Sequence, residues 1–166
     1  MVRKFGTVIY KNSIKLFLIF CVSLIPTISL ADNIVEVSDS TIELLTESNL
    51  IEPGDELLVG FKFSLSPGWH TYWVNPGDAG EGASIKWNLP RDVKASKILW
   101  PGPERIPVEP LMTFGYEDEV VLLTKIYTSK NTVIPLTLNA LVSWYTCKEI
   151  CIRSEEHTSE LQSQPD

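Results

Sequence analysis

Cysteine, histidine and methionine are scarce in this chain: three Cys, two His and two Met among 166 residues. So few soft and imidazole ligands leave little material for a metal centre, since a structural zinc site alone takes four protein ligands. Basic residues are outnumbered, 14 Lys+Arg against 21 Asp+Glu, for a formal charge of −7. Clustered Lys and Arg are the footprint of nucleic-acid binding, and this acidic balance argues against that partner class. No stretch combines a 3.6-residue amphipathic pattern with caps, which argues against a helical architecture. Long apolar runs are lacking too, apart from the 15 residues of Leu16–Leu30, short of the roughly 20 that span a bilayer. The remaining composition, 44% hydrophobic and 21% charged, is that of a globular protein, and the length allows one domain.

The apolar run has a targeting context. Arg3, Lys4, Lys11 and Lys15 precede it, and Ser29-Leu30-Ala31 places small residues at −3 and −1 of a cleavage point before Asp32. Residues 1–31 therefore read as a secretory signal peptide that takes Cys21 away with it. At the other end, Arg153–Ser163 reads RSEEHTSELQS, which resembles the in-frame translation of a common sequencing-library adapter. Residues 153–166 are accordingly expected to be a non-native tail. The expected mature domain is residues 32–152. It holds 17 acidic and 9 basic residues, because four basic residues precede it and four acidic and one basic follow it. One histidine, His70, and two cysteines, Cys147 and Cys151, remain.

Within that domain the pattern is of strands. Glu56–Leu65 alternates, with Val59, Phe61, Phe63 and Leu65 on the apolar side. Short β-rich stretches lie at Ile34–Val37 and Thr41–Leu45, and further strands are expected at Trp69–Val74, Ser84–Leu89 and Val93–Trp100. Pro101–Met112 carries four prolines, which excludes a central strand, and is expected to be an ordered extended loop. Phe114–Asp118 reads as a loop tip. Glu119–Thr128 and Thr132–Tyr145 are the two most strand-like runs, and the Ser129-Lys130-Asn131 turn suggests that they are antiparallel neighbours. Seven or so short strands with frequent turns predict an all-β antiparallel sandwich.

Chemistry is concentrated in Cys147-Lys148-Glu149-Ile150-Cys151. An exported chain meets oxidising conditions in which paired cysteines form disulfides. A straight strand would hold the two Cα atoms roughly 13 Å apart, beyond the about 4.4–6.8 Å that a bridge needs. The chain must therefore turn at residues 148–150 or make one helical turn. So small a loop gives a bridge little stabilising power, and a domain of this size does not need one. That favours a switching role. A passive disulfide in a binding module and a two-thiolate Cu(I) site remain open as alternatives. Lys148 would favour a thiolate and Glu149 oppose it, so the charges do not choose the nucleophile.

Several words along the chain resemble one family. Pro67-Gly68-Trp69-His70-Thr71-Tyr72-Trp73, Asn75-Pro76-Gly77-Asp78-Ala79-Gly80, Trp100-Pro101, Arg105-Ile106-Pro107, Phe114-Gly115-Tyr116 and Cys147-Lys148-Glu149-Ile150-Cys151-Ile152 are similar, in order and spacing, to the N-terminal periplasmic domain of DsbD-type thiol:disulfide interchange proteins, and to their ScsB-like branch above all. In that branch Ile-Pro follows the second cysteine; here Arg153 stands in place of the Pro. The resemblance implies an immunoglobulin-like sandwich located in the periplasm. It implies a module of a larger thiol-disulfide oxidoreductase, with Cys151 forming mixed disulfides with partners and Cys147 resolving them. It also implies a cap loop at Phe114, Gly115 and Tyr116, with Trp69, His70 and Tyr72 as neighbours of the site. Electrons would come from the parent's thioredoxin-like domain and go to disulfide isomerases, cytochrome c maturation factors or peroxidase-like thiol proteins. No cofactor and no metal are expected, and membrane association would come only through segments beyond Ile152.

Overall fold

The computed structural model describes residues 34–37 and 39–162, so the expected signal peptide and Cys21 lie outside the described residues. Every element among the described residues is a strand, eleven in all. One sheet has five strands in the order β1 (Ile34–Val37), β2 (Ser40–Thr46), β3 (Glu56–Leu65), β9 (Glu119–Thr128) and β6 (Val93–Ala95). The other runs β11 (Cys151–Gln162), β10 (Leu136–Cys147), β4 (His70–Gly77), β8 (Leu111–Glu117) and β7 (Glu104–Val108). In it β5 (Ser84–Asn88) also pairs with β10. All pairings are antiparallel. This is the expected all-β sandwich, of immunoglobulin-like type.

Alternation builds the core as the sequence predicts. Val59, Phe61 and Phe63 of β3 are fully buried, and Leu122 and Ile126 of β9 lie beside them. From the second sheet, Leu138, Val142 and Trp144 of β10 face these residues across the sandwich. The Phe63 and Trp144 rings meet nearly edge to face, with centroids 5.9 Å apart, an arrangement favoured by the aromatic quadrupoles. Each such side chain contributes about 1.5–3 kcal/mol by leaving water. The indole N–H of Trp144 donates to the Ser40 hydroxyl at 3.3 Å, so its one polar atom is satisfied inside the core.

Three local readings are corrected. The proline-rich segment is not a loop: Glu104–Val108 forms β7, paired with Leu111 onward in β8. Pro107 is tolerated there because β7 is the outermost strand of its sheet, where a missing N–H breaks no central ladder. Phe114–Glu117 is not a loop tip but the second half of β8, flanked by β4 and β7. Gly115 makes this pairing fit, since a Cβ there would lie 1.9 Å from the Thr71 carbonyl oxygen. The glycine thus serves close approach of two strands rather than an unusual dihedral. Finally, β9 and β10 are not sheet neighbours; the connection at residues 129–135 crosses from one layer to the other.

Candidate thiol-disulfide site

β10 and β11 form a hairpin, and its last ladder pair is Cys147 with Cys151. The chain reverses through Lys148–Ile150, closed by the Lys148 N–H donating to the Ile150 carbonyl at 3.1 Å. Of the two expected geometries, the turn is the one realised. The cysteines form a disulfide with Cα atoms 4.1 Å apart. Their environments differ sharply. Cys147 is 3% exposed, whereas residues 148–151 are all exposed and Ile150 is 67% exposed.

Register places the neighbours. Cys147 pairs with His70, which on its other side pairs with Glu117, and Tyr72 pairs with Gly115. Because partners across a sheet share a face, Cys147, Cys151, His70, Tyr72, Gly115 and Glu117 all lie on the outer face. Thr71, Thr146 and Tyr116 point to the inner one. The Tyr72 hydroxyl sits 3.8 Å from the Cys151 Sγ and 3.3 Å from the His70 Nε2. A disulfide sulfur carries no proton, so Tyr72 is the donor in the first contact, and an Nε2–H tautomer of His70 donates to the same hydroxyl in the second. The His70 and Tyr72 rings meet at 84°, with centroids 5.2 Å apart. Burial pushes the His70 pKa down against the raising field of Glu117, and burial pushes the Tyr72 phenol up. Both groups are therefore neutral hydrogen-bonding partners near neutral pH.

What covers Tyr72 was not anticipated. The ladder between β4 and β8 shifts between Tyr72 and Gly77, so the intervening residues bulge out of the sheet. The chain then folds back until Gly80 rests on the Tyr72 ring; a Cβ on Gly80 would lie 2.2 Å from it. Asp78 fastens this strap to β8, its N–H donating to the Met112 carbonyl at 3.1 Å and its carboxylate accepting from the Met112 N–H at 2.9 Å. The glycine-rich run Asn75–Gly82 was the available signal, since Gly77 and Gly80 both take positive φ, at 87° and 93°.

The other expected site residues are placed as follows. Tyr116 is buried against the core, donates to the Pro101 carbonyl at 2.9 Å and has its pKa pushed up to about 12 by burial. The half-buried Phe114 ring lies over Gly77. Trp69 is half-buried beside His70 in the chain and ends the Ser66–Trp69 turn. Lys148 reaches across the Gly68 turn to the Pro67 carbonyl at 3.3 Å, which directs its ammonium to that carbonyl.

This geometry, a disulfide at the end of an outer-sheet hairpin, is matched by a family relationship. A sequence profile described as thiol:disulfide interchange protein DsbD, N-terminal, matches residues 43–163. The chain belongs to that family. Among solved structures it is similar to the N-terminal periplasmic domain of ScsB from Proteus mirabilis, with 24% identity and a TM-score of 0.62 over 80% of this chain and 51% of that one. It thus spans about half the length of that solved domain. A weaker likeness is to the Neisseria meningitidis DsbD N-terminal domain in the reduced form, with 15% identity and a TM-score of 0.43 over 75% of this chain and 86% of that one. Comparison with curated protein sequences gives no match.

Proposed function

We propose that Cys147 and Cys151 cycle between disulfide and dithiol, relaying electron pairs in the periplasm. A thioredoxin-like reductant would supply the pairs, and thiol proteins with oxidised cysteines would receive them. The observation that carries this reading is the asymmetry of one short bridge, with Cys151 exposed and Cys147 buried behind it.

Exchange needs in-line access of a thiolate to one sulfur. In the donating direction the Cys151 thiolate attacks a partner disulfide, and the first partner sulfur leaves as thiolate. Cys147 then loses its proton to solvent and attacks the Cys151 sulfur of the mixed disulfide. The second partner thiolate leaves and the 147–151 bond re-forms. Two electrons pass to the partner, and recharging by an incoming dithiol is the reverse. Tyr72 supports the step by donating to the Cys151 sulfur, a contact that strengthens when the sulfur becomes anionic. The Gly80 strap keeps the Tyr72–His70 pair dry, and the Phe114 ring of β8 backs the strap at Gly77, whereas Tyr116 belongs to the core side.

Equilibration against a glutathione or thioredoxin buffer tests the reading. A pair that opens at a potential well above about −300 mV is expected, and one that stays oxidised there is a structural bridge. A Cys147→Ser variant should accumulate a mixed disulfide through Cys151.

A further inference from the structure

Asp39 lies outside the span matched by the family profile, yet it is 1% exposed and its carboxyl group is directed into the sandwich beneath the redox hairpin. The fully buried Thr146 hydroxyl donates to its Oδ2. Burying a carboxyl group is costly unless hydrogen bonds compensate it, and the compensating bond from Thr146 falls on the residue immediately before Cys147.

Neighbouring bonds hold the same stretch of chain. Trp144 donates to Ser40, the residue after Asp39, at 3.3 Å. The Thr71 hydroxyl of β4 donates to the Tyr145 carbonyl at 2.8 Å. Three successive residues, 144 to 146, are thus each gripped through a side-chain hydrogen bond, two of them from the facing sheet. Cys147 follows them and is buried; the exposed turn begins immediately afterwards. The boundary between clamped and free chain falls between the two sulfurs.

We propose that Asp39 is a positioning residue for the redox pair, fixing the Cys147 end of β10 through Thr146 so that only the Cys151 side moves when the bond opens. This rests on the relay reading above. Ring closure of a dithiol depends on the effective concentration of one sulfur at the other, which a fixed attacking group raises. Loosening the Cys147 end therefore shifts the balance with glutathione: the 147–151 bond breaks more readily as two glutathione thiols are oxidised to their disulfide, and the two protons pass to the cysteines.

The test is the dithiol–disulfide equilibrium constant of the whole protein with glutathione. Asp39→Ala should shift it about tenfold toward the dithiol, equivalent to ~30 mV, and Thr146→Val should shift it in the same direction. Asp39→Asn, whose amide oxygen can accept the Thr146 proton, should restore most of the wild-type value. If Asp39→Ala fails to fold, Thr146→Val decides. A constant within about twofold of wild type in a variant that has only lost thermal stability would reduce Asp39 to a structural role and overturn the proposal. A wild-type pair that never equilibrates with glutathione would instead defeat the relay reading, and this inference with it.

Discussion

The Tyr72 hydroxyl touches both a ring nitrogen and a sulfur of the bridge, so it is the side chain whose loss is most readable. Tyr72→Phe removes a donor to the Cys151 thiolate without changing the ring. A hydrogen bond to a charged group contributes about 1.5–3 kcal/mol, and one pKa unit is about 1.4 kcal/mol. The Cys151 thiol of the reduced variant should therefore titrate about one unit higher, as read by ultraviolet thiolate absorbance against pH. His70 gives a pH prediction. Its folded pKa lies below the ordinary 6.5 because burial disfavours the charged form. The unfolded chain then binds more protons as pH falls through about 6.5, so stability declines on acidification from that point and is flat above it. Denaturant midpoints measured across this range should show the decline, and His70→Gln should flatten it.

At the scale of elements, the β4–β8 pairing and the strap are the features on which the site rests. Gly115→Ala would drive a methyl group into the Thr71 carbonyl, a backbone atom that cannot rotate away. A loss of about 3 kcal/mol or more in thermal or denaturant unfolding is expected. Gly102→Ala, with nothing within 4 Å, should stay within about 0.5 kcal/mol. These elements also mark what could be seen in advance. Period-two alternation made β3 legible, because one of its faces meets a core and the other water. That the chain could not run straight from Cys147 to Cys151 followed from the reach of a bridge, which left a turn and one helical turn open; the ladder pairing of the two cysteines decides for the turn. β7 and β8 were missed because prolines and a glycine usually end strands, and here an outermost position and a close backbone contact admit them. Tyr72 and His70 were named as neighbours through resemblance, whereas the glycine-rich run Asn75–Gly82 signals an irregular backbone without telling that Gly80 folds back onto Tyr72. Asp39 was overlooked because a lone Asp ahead of a strand reads as a turn residue.

For the whole molecule, the ladder between β10 and β11 runs from Leu136–Gln162 to Cys147–Cys151 and makes β11 the outermost strand of its sheet. Most of β11 is the segment whose sequence resembles translated adapter. Its exposed positions alternate with partly buried ones, and Ser143 donates to Glu155 across the ladder at 3.0 Å. Removing residues 153–166 would uncover the long edge of β10, with its row of unpaired N–H and C=O groups. The shortened protein should melt at lower temperature and associate with rising concentration, which light scattering after size exclusion would detect. A shortened protein that stays monomeric with an unchanged melting temperature would show that this strand contributes nothing to the sandwich.

The crosslink joins the final rung of a hairpin and ties neither sheet to the other. If the pair cycles as proposed, opening and closing it would leave the rest of the ladder and the aromatic interior as they are. On that reading the domain would be a terminal emptied and refilled many times, with the cost of each turnover confined to the few residues at its rim.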